Sequence, residues 1–225
     1  MNERSKADGQ TKNGLNNLSE FEGARLLADY GIPTAKAMLA HDLDEVKKAG
    51  QTIGYPVVLK LSSPGISHKT EKGFVEVDLH NEVELGLAFD RLREASARAN
   101  PEYLVQEMVK GSRELAVGMV RDSQFGPCVM FGLGGIFTEV IGDVVFRPAP
   151  LGEKDAAEML QAIKGCAILG PIRGMPAVNR KALINCLMAV GKIGVERTDI
   201  EAIDINPLIV RQGEPLAVDA LVVLR

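Results

Sequence analysis

The sequence has few of the features that mark disulfide-rich proteins, proteins with a structural metal site or nucleic-acid-binding proteins. Its three cysteines, Cys128, Cys166 and Cys186, are far apart and odd in number, so they match neither a disulfide framework nor a zinc site. Lys and Arg number 26 against 30 Asp and Glu, and the absence of a basic cluster argues against binding to nucleic acid. We therefore expect reduced thiols in a cytoplasmic protein that binds no nucleic acid.

Long hydrophobic runs are absent as well. No stretch reaches the roughly 18 consecutive apolar residues that mark a membrane-spanning helix, and residues 1–17 contain no apolar run typical of a signal peptide. We expect no contact with a membrane. Residues 1–17 are polar and predict a disordered tail. With 46% hydrophobic residues in the chain, the remainder is able to form a sizeable core.

Familiar motifs for phosphate binding and hydrolysis are also missing. The chain has no G-x-x-x-x-G-K-[ST] sequence, and its glycine-rich segment Gly132–Gly135 does not continue into G-x-G-x-x-G. Neither H-E-x-x-H nor G-x-S-x-G occurs. If the chain binds a nucleotide, it does so with a different architecture.

After the tail, the sequence alternates between helical and strand patterns. Ser19 followed by Glu22 is a capping box that predicts a helix start, and Gly31–Pro33 predicts its end. Residues 56–61 alternate as a strand, with Lys60 on the face opposite Leu59. Other predicted strands are 35–39, 74–79, 103–108, 115–121, 127–132 and 137–145, and other predicted helices are 42–50, 81–100, 153–169 and 179–194. This order predicts an α+β fold with two strand-rich lobes rather than a Rossmann sheet.

The segments Ile200–Val210 and Leu216–Leu224 predict a closing hairpin. A tight turn at Gln212-Gly213 fixes a register in which Asn206 lies opposite Asp219. Directly paired residues have Cβ atoms about 4.5–5.5 Å apart, and two oxygen-bearing side chains at that separation suit Mg²⁺, which takes few protein ligands. A solvated polar pair on a sheet face is an equally good explanation of the spacing.

Lys60 and the loop 62–73 form a second candidate site. Lys60 interrupts an apolar strand, so its ammonium either binds phosphate in a cleft or protects an edge strand from aggregation. The loop contains small residues, hydroxyls and lysines that suit phosphate contact, including Ser67 and Lys69. His68 lies near the middle of this loop, where an inert surface residue, a general base and a phosphate-accepting nucleophile all remain open.

The segment Gln106–Glu114 is a third candidate, at the boundary between the two predicted lobes. An apolar strand ends there in Glu107, so the backbone up to Val109 can hold a base and the Glu107 carboxylate can bind ribose hydroxyls. An ordinary strand with an exposed end is the alternative. Glu114 follows at the start of the next predicted strand.

Taken together, these segments resemble the ATP-grasp fold, and more narrowly the beta subunit of ADP-forming acyl-CoA (acetate–CoA) synthetases, relatives of succinyl-CoA synthetase. The resemblance covers residues 18–225. It is carried by Leu18–Leu27, Tyr30–Pro33, Tyr55–Lys60, Ser67–Thr70, Gly132–Gly135 with Glu139, Arg173-Gly174 and Asp204–Leu208. It implies two α/β lobes with the nucleotide site between them: a small lobe of about 32–106 and a larger lobe of about 18–31 plus 107–225.

The resemblance also implies an acid–thiol ligase reaction, acyl-CoA + ADP + Pi ⇌ carboxylic acid + ATP + CoA. It implies that His68 relays a phosphoryl group between ADP and a histidine of an alpha subunit, which also carries the CoA-binding domain, in an α2β2 assembly. The implied nucleotide-binding residues are Lys60, Ser67, Lys69, Gln106, Glu107, Val109 and Glu114, and the implied Mg²⁺ ligands are Asn206 and Asp219. ATP and ADP are the implied nucleotides.

Two other functions remain open. A different ATP-grasp carboxylate ligase, which joins an acyl phosphate to an amine or thiol, has no need of His68. A non-catalytic regulatory subunit binds ATP without turnover. The chain also departs from the resembling family at Phe74, where that family has a glycine that lets the backbone approach phosphate.

Overall fold

The computed structural model describes residues 17–62, 74–96, 101–135 and 142–225. Residues 1–16 of the predicted tail and the loop that carries Ser67, His68 and Lys69 lie outside the described residues, as does Glu139. Asn17 is described, and it forms an isolated bridge with Val223. Among the described residues, no helix has both the length and the apolar character needed to cross a membrane.

The described residues form five helices and ten strands, all numbered here in chain order. The helices are α1 (Glu20–Asp29), α2 (Leu43–Ile53), α3 (Glu82–Ala95), α4 (Glu153–Ala162) and α5 (Arg180–Glu196). The strands are β1 (Ala37–Ala40), β2 (Val57–Ser62), β3 (Val75–Leu79), β4 (Glu102–Glu107), β5 (Glu114–Asp122), β6 (Gly126–Leu133), β7 (Val144–Pro148), β8 (Ile200–Arg211), β9 (Glu214–Ala217) and β10 (Ala220–Leu224). Helices and antiparallel sheets in this arrangement confirm the predicted α+β class.

The smaller sheet has the strand order β1-β4-β2-β3, and its neighbouring strands are antiparallel. One face packs against α2 and α3, where Leu59, Leu61 and Val105 join a buried apolar cluster with Leu85 and Phe89. Because side chains alternate along a strand, Lys60 lies on the opposite face, as the sequence pattern predicts.

The larger sheet has the order β10-β8-β5-β6-β7, and β9 pairs with β8 beyond this path. Its apolar face is covered by α1, α4 and α5, and this layer contains the main core of the protein, including Leu27, Phe131, Leu187 and Ile205. The other face of this sheet carries the polar residues predicted from the closing hairpin.

Helix α1 is fixed at its start by the predicted capping box. The Ser19 side chain accepts a hydrogen bond from the Glu22 N–H, and the Glu22 carboxylate accepts one at 2.8 Å from the Ser19 N–H. The Leu18 N–H donates to the Val222 carbonyl at 3.0 Å, which ties the helix start to β10. The first turn of α1 is therefore held rigidly against the larger sheet.

Residues 137–141 of the strand predicted at 137–145 lie outside the described residues, and the described part continues into β7, which runs from Val144 to Pro148. The helix predicted at 153–169 is divided into α4 and a 3-10 turn at Cys166–Leu169. The buried Asp143 carboxylate accepts hydrogen bonds from the N–H groups of Lys164 and Gly165, and this long-range capping keeps that segment out of the helix.

Candidate functional site

The predicted site residues that the structure describes come from both halves of the fold, and two of them line a pocket between the sheets and α1. Gln106 of β4 lines this pocket from the smaller sheet, Asp219 lines it from the larger sheet, and Glu20 lines it from α1. We call this pocket, together with the adjoining face of β2, the cleft. The arrangement places polar groups from distant parts of the chain within one site.

Lys60 lies on the cleft face of β2, where its Nζ is 2.5 Å from Oε1 of Glu20. Both side chains are buried, with 9% and 7% of their surface exposed. A buried ammonium needs a charged or hydrogen-bonding partner, and Glu20 supplies one. In the described sheet β2 lies between β4 and β3, so the alternative of an edge-strand lysine is wrong.

Gln106 has one satisfied and one unsatisfied group in the cleft. Its Nε2 donates a hydrogen bond at 2.9 Å to the Val218 carbonyl. Its Oε1 is buried and has no hydrogen-bond partner within the described residues. A buried acceptor without a partner costs about 1–3 kcal/mol, so this oxygen is well suited to a ligand that presents an N–H donor, such as the amino group of a purine base.

Glu107 is held by two protein donors at the junction of the sheets. Its Oε1 accepts a hydrogen bond at 2.9 Å from the Lys36 N–H, and its Oε2 accepts one at 2.7 Å from the Arg211 guanidinium. Burial raises the pKa of Glu107, but these hydrogen bonds outweigh burial and hold the pKa below its ordinary value. A ribose hydroxyl would therefore meet an ionised, already oriented carboxylate.

Val109 follows this junction, and its side chain is directed into a small apolar cluster. That cluster also contains Ala35, Ile209 and Leu216. The Val109 side chain therefore stabilises the junction, and only its backbone groups remain for a contact with a base.

Of the two candidate Mg²⁺ ligands, Asn206 lies on β8 and Asp219 lies between β9 and β10. Leu208 pairs with Ala217 on one side of them and Ile205 pairs with Ala220 on the other. The regular ladder is interrupted between β9 and β10, but both flanking pairs keep the register that sets Asn206 opposite Asp219. The hairpin register is confirmed.

The donor set at this position fits Mg²⁺. The Asn206 Oδ1 accepts one hydrogen bond at 3.0 Å from the Gly135 N–H, and an amide oxygen has a second lone pair for a cation. Asp219 is exposed to solvent. Within the described ranges, no group of three or more His, Cys, Asp and Glu residues is placed to hold a metal. Two oxygen ligands from the protein are typical of Mg²⁺ that also binds substrate phosphates.

Glu114 and the glycine-rich corner Gly132–Gly135 adjoin these ligands. The Gly134 N–H donates to the Glu114 carbonyl at 2.8 Å. Gly135 has φ +62°, and a Cβ added there would clash with the Glu114 carboxylate. The positive φ therefore favours glycine at position 135, and the Gly135 N–H donates to the Asn206 Oδ1 beside Glu114.

The predicted histidine loop begins and ends beside Lys60. It leaves β2 after Ser62 and returns at Val75, which pairs with Lys60 across the β2–β3 ladder. Phe74, the departure from the family pattern, packs its side chain against the apolar cluster of the smaller sheet. The substitution thus fills space on the helix-covered side of the sheet.

Three residues of this region were not expected from the sequence. Glu20 carries no signal of its own, since acidic residues are common in the first turn of a helix. Arg211 ends an apolar strand, and nothing in the sequence indicates that it pairs with Glu107. Arg113 is buried and donates three hydrogen bonds to the carbonyls of Ile168, Gly170 and Pro176, which fixes the loop that carries Arg173-Gly174.

Comparison with known proteins shows which family the chain resembles. A family model described as an ATP-grasp domain matches residues 10–224. The chain is 41% identical over 212 residues to the beta subunit of the ADP-forming acetate–CoA ligase I of Pyrococcus furiosus, and the match covers 92% of this chain and 91% of that subunit. It is 39% identical over 208 residues to the ADP-forming acetate–CoA ligase I of Archaeoglobus fulgidus, covering 90% of this chain and 30% of that longer chain.

A solved structure is also similar over most of its length. The acetyl-coenzyme A synthetase 1 of Ca. Korarchaeum cryptofilum matches with a TM-score of 0.84 and 40% identity, covering 95% of both chains. That structure contains coenzyme A and Mg-AMPPCP, and its phosphohistidine segment points towards the nucleotide-binding site.

Proposed function

The chain belongs to the ATP-grasp family, in the group of the beta subunits of ADP-forming acetate–CoA ligases, and on this premise we propose that it is the nucleotide-binding beta subunit of an ADP-forming acyl-CoA synthetase. The observation that carries the proposal is the cleft, where the Lys60 ammonium contacts Glu20, and where Glu20, Asp219 and Gln106, whose Oε1 has no hydrogen-bond partner among the described residues, line the same pocket. The proposed reaction is acyl-CoA + ADP + Pi ⇌ carboxylic acid + ATP + CoA.

Nucleotide binding is assigned to residues along the cleft. Lys60 holds the phosphates with the N–H donors that Glu20 leaves, and Gln106 accepts a hydrogen bond from the base. Glu107 binds the ribose beside its two protein donors. The remaining proposed contacts are the loop residues Ser67 and Lys69, the backbone at Val109, and Glu114, which positions the nucleotide.

His68 is the proposed catalytic residue. A neutral imidazole is available near pH 7, because the ordinary pKa of histidine is about 6.5. Its nitrogen attacks the phosphoryl group of the alpha subunit's phosphohistidine, so that one P–N bond forms as another breaks. A terminal oxygen of ADP then attacks the same phosphorus, a P–O bond replaces the P–N bond, and His68 is free again. Positioning and charge neutralisation supply most of the catalysis in such transfers.

Asn206 and Asp219 are the residues proposed to hold Mg²⁺. The ion, when bound with the nucleotide, neutralises negative charge on the phosphates. Asn206 is oriented for this role by the Gly135 N–H, and Asp219 faces it across the hairpin.

A partner alpha subunit follows from the beta-subunit naming of the relatives, and the longer Archaeoglobus chain supports the view that the remaining domains are fused in some relatives. We propose that the partner supplies the CoA-binding and first phosphohistidine domains in an α2β2 assembly. We also propose that about 32–106 act as a small lobe against about 18–31 plus 107–225. The free cysteines support a reducing, cytoplasmic compartment.

The direct test is reconstitution with the alpha subunit encoded in the same genome. Acetyl-CoA, ADP and phosphate are supplied, and ATP is measured with each substrate omitted in turn. We expect ATP formation that requires both subunits and that the Lys60→Met variant abolishes. The matched control Glu76→Gln, which breaks an ion pair with Arg91 outside the cleft, retains activity. Nucleotide binding without ATP formation contradicts the synthetase and favours the regulatory alternative.

A further inference from the structure

Glu20 of α1 is a buried charged residue that contacts Lys60 and has no assigned role of its own in the proposed function. We infer that Glu20 is a positioning residue, whose carboxylate holds the Lys60 ammonium in the place where it binds a nucleotide phosphate. This inference rests on the proposed function, because it concerns the same cleft and the same ligand.

The contact joins two parts of the protein that are built independently. Glu20 lies in the first turn of α1, which the capping box and the Leu18–Val222 hydrogen bond fix against the larger sheet. Lys60 extends from the central part of the smaller sheet. Glu20, which is fixed to the larger sheet through α1, thus holds the long Lys60 side chain of the smaller sheet. The position of the ammonium therefore depends on how the two sheets are placed relative to each other.

Burial explains why such an anchor is needed. The Lys60 and Glu20 side chains are 9% and 7% exposed, and an ammonium at this depth has lost most of its water. Its Nζ has three N–H donors, of which one is directed at Glu20. The other two have no partner among the described residues and are the ones proposed to bind phosphate oxygens. Without the carboxylate, the flexible four-carbon stem has no charged group at this contact to define its position.

The opposite role is chemically conceivable and gives opposite results. A carboxylate that occupies the place of a phosphate competes with the nucleotide, so that its removal strengthens binding. We infer positioning because the start of α1 fixes Glu20 against the larger sheet, and because its contact with Lys60 uses one of the three N–H donors of the ammonium.

The test compares two ligands that differ only in their phosphates. Titration calorimetry measures binding of ADP with Mg²⁺, and of adenosine, to the wild-type chain and to Glu20→Gln. We expect the Kd for ADP to rise about tenfold to a hundredfold, the range for loss of a hydrogen bond to a charged group, and the Kd for adenosine to stay within about twofold. A general loss of structure would weaken the binding of both ligands. An equal rise in the two Kd values therefore overturns the inference.

A double-variant cycle shows whether Glu20 acts through Lys60. Lys60→Met removes the phosphate contact, so adding Glu20→Gln to it should weaken ADP binding no further. Additive effects, or tighter ADP binding by Glu20→Gln alone, overturn the inference. Glu76→Gln is the matched control and should bind both ligands as wild type does.

Two further outcomes separate the inference from the proposed function. If the wild-type chain binds ADP and Glu20→Gln binds it equally well, the inference alone is wrong. If the wild-type chain does not bind ADP, the proposed function is wrong and the inference fails with it. Should Glu20→Gln not fold, as judged by circular dichroism, Glu20→Asp takes its place, because it withdraws the charge by one methylene and should show the same selective loss of ADP.

Discussion

The Arg211 guanidinium donates a hydrogen bond at 2.7 Å to the Glu107 carboxylate, and this ion pair joins β8 of the larger sheet to β4 of the smaller one. The second oxygen of Glu107 accepts the Lys36 N–H, just before β1. The chain crosses from the smaller sheet to the larger sheet directly after Glu107. A single carboxylate therefore helps to set the geometry of the cleft that the nucleotide is proposed to enter.

This pair predicts a pH-dependent contribution to stability. Because the pKa of Glu107 is lowered in the folded state, its contribution is fully present above the unfolded pKa of about 4.3 and is lost as the pH falls through the folded value. We expect Glu107→Gln to cost about 1–2 kcal/mol of unfolding free energy at pH 7. Urea unfolding of both chains measures this difference, which should shrink below about pH 4. A difference that is independent of pH would contradict the pairing.

The Asn206–Asp219 pair predicts a change in Mg²⁺ requirement. Each side chain supplies an oxygen, so Asp219→Ala and Asn206→Ala should each raise the Mg²⁺ concentration for half-maximal ATP formation by about tenfold, the effect of losing about 1.4 kcal/mol. Asp90→Asn, which removes a half-exposed ion pair with Arg93 on α3, is the control and should leave the requirement unchanged. Variants with normal Mg²⁺ dependence would remove this pair from the metal site.

The proposed contact of Gln106 with the base predicts that its removal weakens binding of adenosine but not binding of phosphates. Gln106→Leu removes an acceptor that has no partner in the described part of the chain, so the affinity for adenosine should fall about tenfold, in line with one lost hydrogen bond. Binding of inorganic pyrophosphate with Mg²⁺ should not change, because pyrophosphate has no base to contact Gln106. Calorimetry measures both ligands. Equal weakening of the two would show that the variant disturbs the cleft as a whole.

Arg113 predicts a large effect on stability. Arg113→Met leaves three carbonyls of the 168–176 loop without their donor, and we expect a loss of about 2 kcal/mol in unfolding free energy. The exposed pair of Arg225 with Glu201 provides the comparison, since Arg225→Met should cost no more than about 1 kcal/mol. Similar losses in the two variants would contradict the role of Arg113.

Local signals made much of the fold predictable. The capping box at Ser19, the alternation around Lys60 and the turn at Gln212-Gly213 each depend on neighbouring residues, and each is confirmed. The hairpin register alone set Asn206 opposite Asp219. These features follow from backbone periodicity and capping, which a single sequence displays directly.

The remaining features depend on contacts between residues that are distant in the chain. Glu20 meets Lys60 across 40 positions and Glu107 meets Arg211 across 104, and no periodicity connects such pairs. The end of α4 was missed for the same reason, because Asp143 captures the N–H groups of Lys164 and Gly165 from 21 and 22 positions away. Tertiary contacts of this kind overrode the local helical pattern.

The most direct test of the central claim is phosphoryl labelling of His68. The chain, its alpha subunit, Mg²⁺ and γ-phosphate-labelled ATP are mixed, and the two subunits are separated before counting. We predict acid-labile, base-stable label on the wild-type chain and none on His68→Ala, although the variant still binds ADP. Equal label on the His68→Ala chain, or no label on the wild-type chain with the alpha subunit present, would contradict a histidine relay through this subunit.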